Sequence, residues 1–169
     1  MSTLSRRNLL RGQWRNSSTA IRPPWSVENS LFVDGCTRCQ ACVSACETGV
    51  ITIASRFDYP ELDFQRAECT FCRRCAEACP EPIFKSAESR PWRRVAVIDE
   101  SCLTMKGIAC RSCQDVCEPY AIQFRLRLGG IAQPQLDIDA CTGCGGCVKS
   151  CPVGAITTRE SDKENDGTA

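Results

Sequence analysis

Cys69-Thr70-Phe71-Cys72-Arg73-Arg74-Cys75-Ala76-Glu77-Ala78-Cys79-Pro80 is the stretch that decides how this chain folds. Three cysteines recur at three-residue steps, a fourth follows after four, and a proline closes the run. That spacing curls one short loop around three corners of a cube. C-x2-C-x2-C-x3-C-P is the bacterial run whose thiolates hold [4Fe–4S] clusters. The chain repeats it: Cys36, Cys39, Cys42 and Cys46 share the spacing, as do Cys141, Cys144, Cys147 and Cys151, the last continuing into Pro152. Cys102, Cys110, Cys113 and Cys117 make a fourth group. These four groups use all sixteen cysteines. At four thiolates per cluster, four [4Fe–4S] clusters are expected, and with them the movement, storage or sensing of single electrons.

Two other uses of cysteine fit less well. Eight disulfides would suit a small secreted scaffold, but no secretory apolar segment precedes the cysteines. Structural zinc usually takes two C-x2-C pairs set far apart, each supplying half a tetrahedron, whereas here each run is one unbroken loop. Histidine is absent, so Rieske-type clusters and histidine-ligated haem are excluded. So is histidine acid–base chemistry, and no G-x-x-x-x-G-K phosphate loop occurs.

The 169 residues carry 21 Lys and Arg against 20 Asp and Glu. A net charge of +1 gives no broad nucleic-acid footprint. No run of 18 apolar residues is present to span a membrane. Reduced thiolates and clusters fit the reducing cytosol, so a cytoplasmic location is expected.

The groups begin at residues 36, 69, 102 and 141, an internal repeat that sets the architecture. Each repeat opens on an apolar stretch read as a strand: Leu31-Phe32-Val33, Leu62-Asp63-Phe64, Val95-Ala96-Val97-Ile98 and Leu136-Asp137-Ile138. After the cysteine loop a second short strand is expected: Val50-Ile51-Thr52-Ile53, Ile83-Phe84, Ala121-Ile122-Gln123-Phe124 and Ala155-Ile156-Thr157. The x3 step before each fourth cysteine suits a short helix. The third group departs from the pattern, with Leu103, Thr104, Met105, Lys106, Gly107, Ile108 and Ala109 between its first two cysteines. Loop closure grows costlier only slowly with length, so a cluster can still form there. The competing reading is a degenerate site without iron, leaving three clusters.

These repeats predict an α+β fold of two small ferredoxin-like units, residues 30–92 and 93–158, each with two clusters. Units so short cannot stand on hydrophobic burial alone, and clusters would staple them. A basic N-terminal arm is expected over 1–29 and a disordered tail over 159–169. Residues 129–135 read as a turn and connection. In two-cluster ferredoxins the fourth cysteine of one run ligates the other cluster. Neighbouring runs would then exchange Cys79 with Cys46, and Cys151 with Cys117. The alternative nests the second and third runs inside the first and fourth, and nearly equal gaps leave both arrangements open.

Ser5-Arg6-Arg7-Asn8-Leu9-Leu10-Arg11 looks like a twin-arginine export motif. The polar Gly12-Gln13-Trp14-Arg15-Asn16-Ser17-Ser18 that follows does not supply the apolar region export needs. The arm is instead read as a docking segment, with Trp14 and Trp25 as apolar anchors and its arginines steering, or else with Trp25 packed back on the first unit.

Several non-cysteine blocks carry a specific resemblance. Arg6-Arg7-Asn8-Leu9-Leu10, Gly12-Gln13-Trp14-Arg15 and above all Ile21-Arg22-Pro23-Pro24-Trp25-Ser26 resemble the start of the NapF family, the ferredoxin-type accessory proteins of periplasmic nitrate reductase systems. The likeness runs on through Cys36-Thr37-Arg38-Cys39, Cys110-Arg111-Ser112-Cys113-Gln114-Asp115, Cys117-Glu118-Pro119 and Gln133-Pro134-Gln135-Leu136. The resemblance implies a cytoplasmic iron–sulfur protein, not an enzyme. Its implied partner is the precursor of the catalytic molybdenum subunit before export, with a role in electron transfer or maturation. The alternative is an electron-wire subunit held permanently in a multi-subunit oxidoreductase, which would need a large apolar interface.

Overall fold

A computed structural model describes residues 20–55, 57–128 and 130–161. Its elements are short: α1 (Asn29–Gly35), α2 (Ala41–Ser44), β1 (Ile51–Thr52), β2 (Glu61–Leu62), α3 (Arg74–Glu77), β3 (Arg94–Ile98), α4 (Ser112–Asp115), β4 (Ile122–Arg125), β5 (Gln133–Leu136), α5 (Gly146–Ser150) and β6 (Ile156–Glu160). The strands form three antiparallel pairs, β1–β2, β3–β6 and β4–β5. In the C-terminal half the pairs nest. The outer ladder runs from Arg94↔Glu160 to Ile98↔Ile156, and the inner one from Ile122↔Leu136 to Arg125↔Gln133. Isolated two-stranded ribbons are marginal in water, so each pair depends on what lies between them.

What lies between is a core in which cysteines are interleaved with apolar side chains. Val50, Ile51, Leu62, Phe64, Val95, Ala121, Ile122, Val148 and Ile156 pack with Cys42, Cys75, Cys113, Cys141 and Cys147 into one cluster that crosses both halves.

Four expectations need correction. Leu31-Phe32-Val33 lies within helix α1, not a strand. Apolar runs this short do not distinguish the two, and the helix buries Phe32 while leaving Leu31 outside. The segment that pairs with Ile83-Phe84, through one isolated bridge, comes from the expected arm. Ser26 bridges Phe84, Val27 N–H donates to Ile83 O at 3.0 Å, and Lys85 N–H to Trp25 O at 2.7 Å. Residues 133–135 are strand β5, not connection; Pro134, which lacks an N–H, is tolerated because every strand of a two-stranded pair is an edge. The tail begins later than expected, since Arg159 and Glu160 pair with Val95 and Arg94. The tail's remaining residues, 162–169, lie outside the described residues.

Trp25 is not a free anchor. It is 7% exposed, and its N–H donates to Pro91 O at 2.7 Å. Its indole Nε1–H donates to Ser89 O at 2.8 Å. Phe71 meets the ring edge-on at 6.4 Å, and the Arg73 guanidinium lies over it at 5.1 Å. Arg22 is likewise engaged, with Pro60 O and Asn29 Oδ1. Trp14, Arg6, Arg7, Arg11 and Arg15 lie outside the described residues.

Candidate iron–sulfur centres

Each regular cysteine run bends the same way. Between its cysteines stand two residues in the left-handed conformation: Arg38 and Gln40 (φ 59° and 65°), Phe71 and Arg73 (56° and 65°), Gly143 and Gly145 (71° and 84°). A left-handed L-residue costs roughly 1–2 kcal/mol, so four of these six positions hold backbone strain. The second of each pair starts the short helix, α2, α3 or α5, that carries the third cysteine inward. The third run lacks this pair: Arg111 sits at φ −139°. Its extra residues instead fold into a compact turn. Met105 N–H bonds Cys102 O, and Ile108 N–H bonds Leu103 O, at 3.0 and 2.9 Å.

The thiols gather in four groups, visible in which thiols repel one another. Burial, then Cys36, Cys75, Cys79 and Cys39, pushes the Cys42 thiol up to about 12. Cys79 is raised by burial and by Cys39 and Cys36. Burial, joined by Cys75, Cys46 and Cys72, lifts Cys69 to about 12 against the pull of the Phe71 amide. Cys75 rises to about 11 through burial, Cys72 and Cys46. In the C-terminal half, burial with Cys102, Cys110 and Cys151 takes Cys113 to about 11. Burial with Cys144, Cys141, Cys113 and Cys117 takes Cys147 to about 12. Each group is therefore three cysteines of one run plus the fourth of its neighbour. The first is Cys36, Cys39, Cys42 and Cys79; the second Cys69, Cys72, Cys75 and Cys46. The third is Cys102, Cys110, Cys113 and Cys151; the fourth Cys141, Cys144, Cys147 and Cys117. Cys42 also feels Cys75, and Cys147 feels Cys113, so the two groups of each half adjoin.

Buried thiols that resist ionisation become thiolates only when a strong cation compensates them, which couples metal binding to folding. None of the sixteen is in a disulfide. Among the described residues no three potential ligands converge tightly enough for a single metal ion. A polynuclear cluster, whose corner irons hold the sulfurs farther apart, fits such groups. Bound there, [4Fe–4S] would supply one-electron redox chemistry.

The chain aims donors at the sulfurs. Burial raises Cys46, yet the amides of Ile51, Val50 and Gly49 and the Thr48 hydroxyl together bring it below its ordinary value. Ala155 N–H donates to Cys151 Sγ at 3.2 Å, and Ala96 N–H to Cys141 Sγ at 3.4 Å. Thr104, 3% exposed, sets its hydroxyl 3.3 Å from Cys102 Sγ; Ser112 stands 3.7 Å from Cys110 Sγ. The sequence reading passed over these hydroxyls. Their signal was present, a Ser or Thr two residues after Cys46, Cys102 and Cys110.

The sequence profile of the 4Fe-4S dicluster domain matches residues 35–83 and 106–155. The second match opens after Cys102, although the structure sets that thiol beside Cys113. The ferredoxin-type protein NapF of Escherichia coli (strain K12) is 49% identical over 153 residues, covering 90% of this chain and 93% of its own. NapF of Haemophilus influenzae is 46% identical over 176 residues, 98% of this chain and 99% of its own. The chain belongs to the NapF family of ferredoxin-type proteins. The methylamine utilization ferredoxin-type protein MauM of Paracoccus denitrificans is 32% identical over 163 residues, 83% of this chain and 70% of its own. As in NapF, the framework here is ferredoxin-type: two dicluster domains, which together with the chain's sixteen cysteines, all but Cys102 inside the matches, fit four [4Fe–4S] clusters. No helix among the described residues is long and apolar enough to cross a membrane.

Proposed function

We propose that all sixteen cysteines ligate iron, in four cross-ligated [4Fe–4S] clusters arranged two per unit over residues 30–92 and 93–158. The grouping of three thiols from one run with the fourth of its neighbour carries this reading. It favours neighbour exchange over nesting. The protein works in the cytoplasm as an electron-transfer or maturation accessory, not as an enzyme. Its partner is the precursor of the catalytic molybdenum subunit of periplasmic nitrate reductase, and the clusters act on it before export.

The arm preceding Ala20 takes part in that capture, because the residues from Ile21 to Val27 are already committed to the first unit. Protein purified without oxygen should hold about sixteen irons and as many acid-labile sulfides. Deleting residues 2–20 should leave that content unchanged and weaken capture of the precursor. About twelve irons would show an empty third site, dominant zinc would overturn the cluster reading, and full capture after deletion would overturn the docking role. A constant stoichiometric complex in gel filtration would favour the wire subunit instead.

A further inference from the structure

The seam between the halves is built from the ligand residues themselves. Cys69 N–H donates to the carbonyl of Cys144 at 2.9 Å, so a ligand residue of the second group is hydrogen-bonded to one of the fourth. Two residues flank this bond. Phe64 lies so close to Gly145 that a Cβ there would stand 2.0 Å from the ring. Trp92 donates its indole N–H to Thr142 O at 2.9 Å and meets Phe64 edge-on at 6.1 Å. Phe64, Gly145 and Cys147 are buried, while Cys69, Trp92 and Cys144 are half-buried.

We propose that the two halves form one conductor, joined where Cys69 meets Cys144, with the first and third ligand groups as its two ends. This rests on the reading of the cysteines as cluster ligands. Electron tunnelling weakens steeply with the gap between centres, and a hydrogen bond between ligand backbones keeps that gap short and fixed. Within each half the groups adjoin because helix α2, which carries Cys42, packs on α3, which carries Cys75, and α4, which carries Cys113, packs on α5, which carries Cys147. The order along the molecule is therefore first, second, fourth, third, unlike the order along the sequence. No bond forms or breaks: one electron enters at one end from a one-electron donor protein and one leaves at the other to a one-electron acceptor. The first group holds the exposed Cys39, although Cys72 of the second group is exposed as well, and the insertion after Cys102 lies at the third group.

The test uses the whole protein with its iron counted. Reduced fully with dithionite, it should give a low-temperature electron resonance spectrum of four mutually coupled spins, and the Cys69 amide should be protected from hydrogen exchange. The Phe64→Ala/Trp92→Ala protein should keep its iron, lose the coupling between halves and exchange that amide quickly. If the double variant sheds iron, Trp92→Leu replaces it, with partial loss of coupling expected. A native spectrum that is the sum of two independent pairs at full iron overturns the proposal, as does a full-iron variant with the native coupling. A native preparation well short of sixteen irons overturns the ligand reading beneath it, which the iron count alone reveals.

Discussion

In the C-terminal half, five residues of β3 pair with five of β6. In the N-terminal half the equivalent pair has shrunk to a single bridge, Ser26↔Phe84, and Trp25 clasps the residues that follow it. The runs differ in parallel. The left-handed positions of the first run carry Arg38 and Gln40, both exposed, while those of the fourth are Gly143 and Gly145, both buried. A Cβ at 143 would lie 2.5 Å from the Arg94 carbonyl oxygen. Runs with one backbone path thus meet different surroundings. Where the first loop faces water, a side chain is tolerated at the price of backbone strain; in the fourth, where Arg94 and Phe64 close directly on the backbone, only glycine fits. One half is held by a ladder, the other by one aromatic clasp and its ligands.

That contrast can be broken most severely at a proposed ligand. Cys75→Ser should reduce iron from about sixteen to about eight per chain, because so short a unit leans on its clusters for stability and losing one unfolds the site of the other. Limited proteolysis should then open residues 20–92 and spare the laddered half; equal cleavage through 95–157 would contradict the exchange of fourth cysteines between neighbours.

Trp25→Ala tests the clasp. Removing a buried tryptophan typically costs about 3–5 kcal/mol, and chemical denaturation should show the loss confined to the N-terminal half. Destabilisation of both halves alike would mean the clasp serves the whole molecule.

The glycine contrast is sharper still. Gly145→Ala meets both Phe64 and a φ of +84° and should cost about 2–4 kcal/mol, whereas Gln40→Gly, at φ 65° in the open first run, should stabilise by about 1 kcal/mol. Equal effects at the two sites, read from denaturation midpoints, would remove the distinction between covered and open loops.

The smallest change is electronic. Thr104→Val keeps shape and removes a hydroxyl beside Cys102 Sγ. Hydrogen bonds to ligand sulfurs raise a cluster's potential, so one of the four potentials should fall while the iron count stays put. Four unchanged potentials in a redox titration would show that the Thr104 hydroxyl does not tune the site.

Much of this was legible in the cysteines. Their spacing implied the number of clusters, and seven of the eight strand expectations fall on or beside observed pairing, because the repeat fixes where chain must run extended between loops. Leu31-Phe32-Val33 misled because three apolar residues satisfy either period, and the segment that replaces it as a strand, Trp25 to Val27, follows two prolines and reads as a tail. The choice between neighbouring and nested runs depends on contacts far apart in sequence, which spacing does not encode. Gly145 looked like one small residue among several until Phe64 was seen against it.

The proposed exchange of fourth cysteines would also set a timetable for synthesis. When Cys75 leaves the ribosome, Cys46 is already waiting, so the second group is complete at once. The first group must wait for Cys79, and at about 5–20 residues per second its three leading thiols stand open for a few seconds. The C-terminal half repeats this, since the fourth group closes at Cys147 and the third only at Cys151. In each half the group that is begun later is finished earlier, so with clusters inserted during synthesis the nascent chain would mature from the seam outward, and an iron or sulfide shortage would first be felt at Cys36 and Cys102.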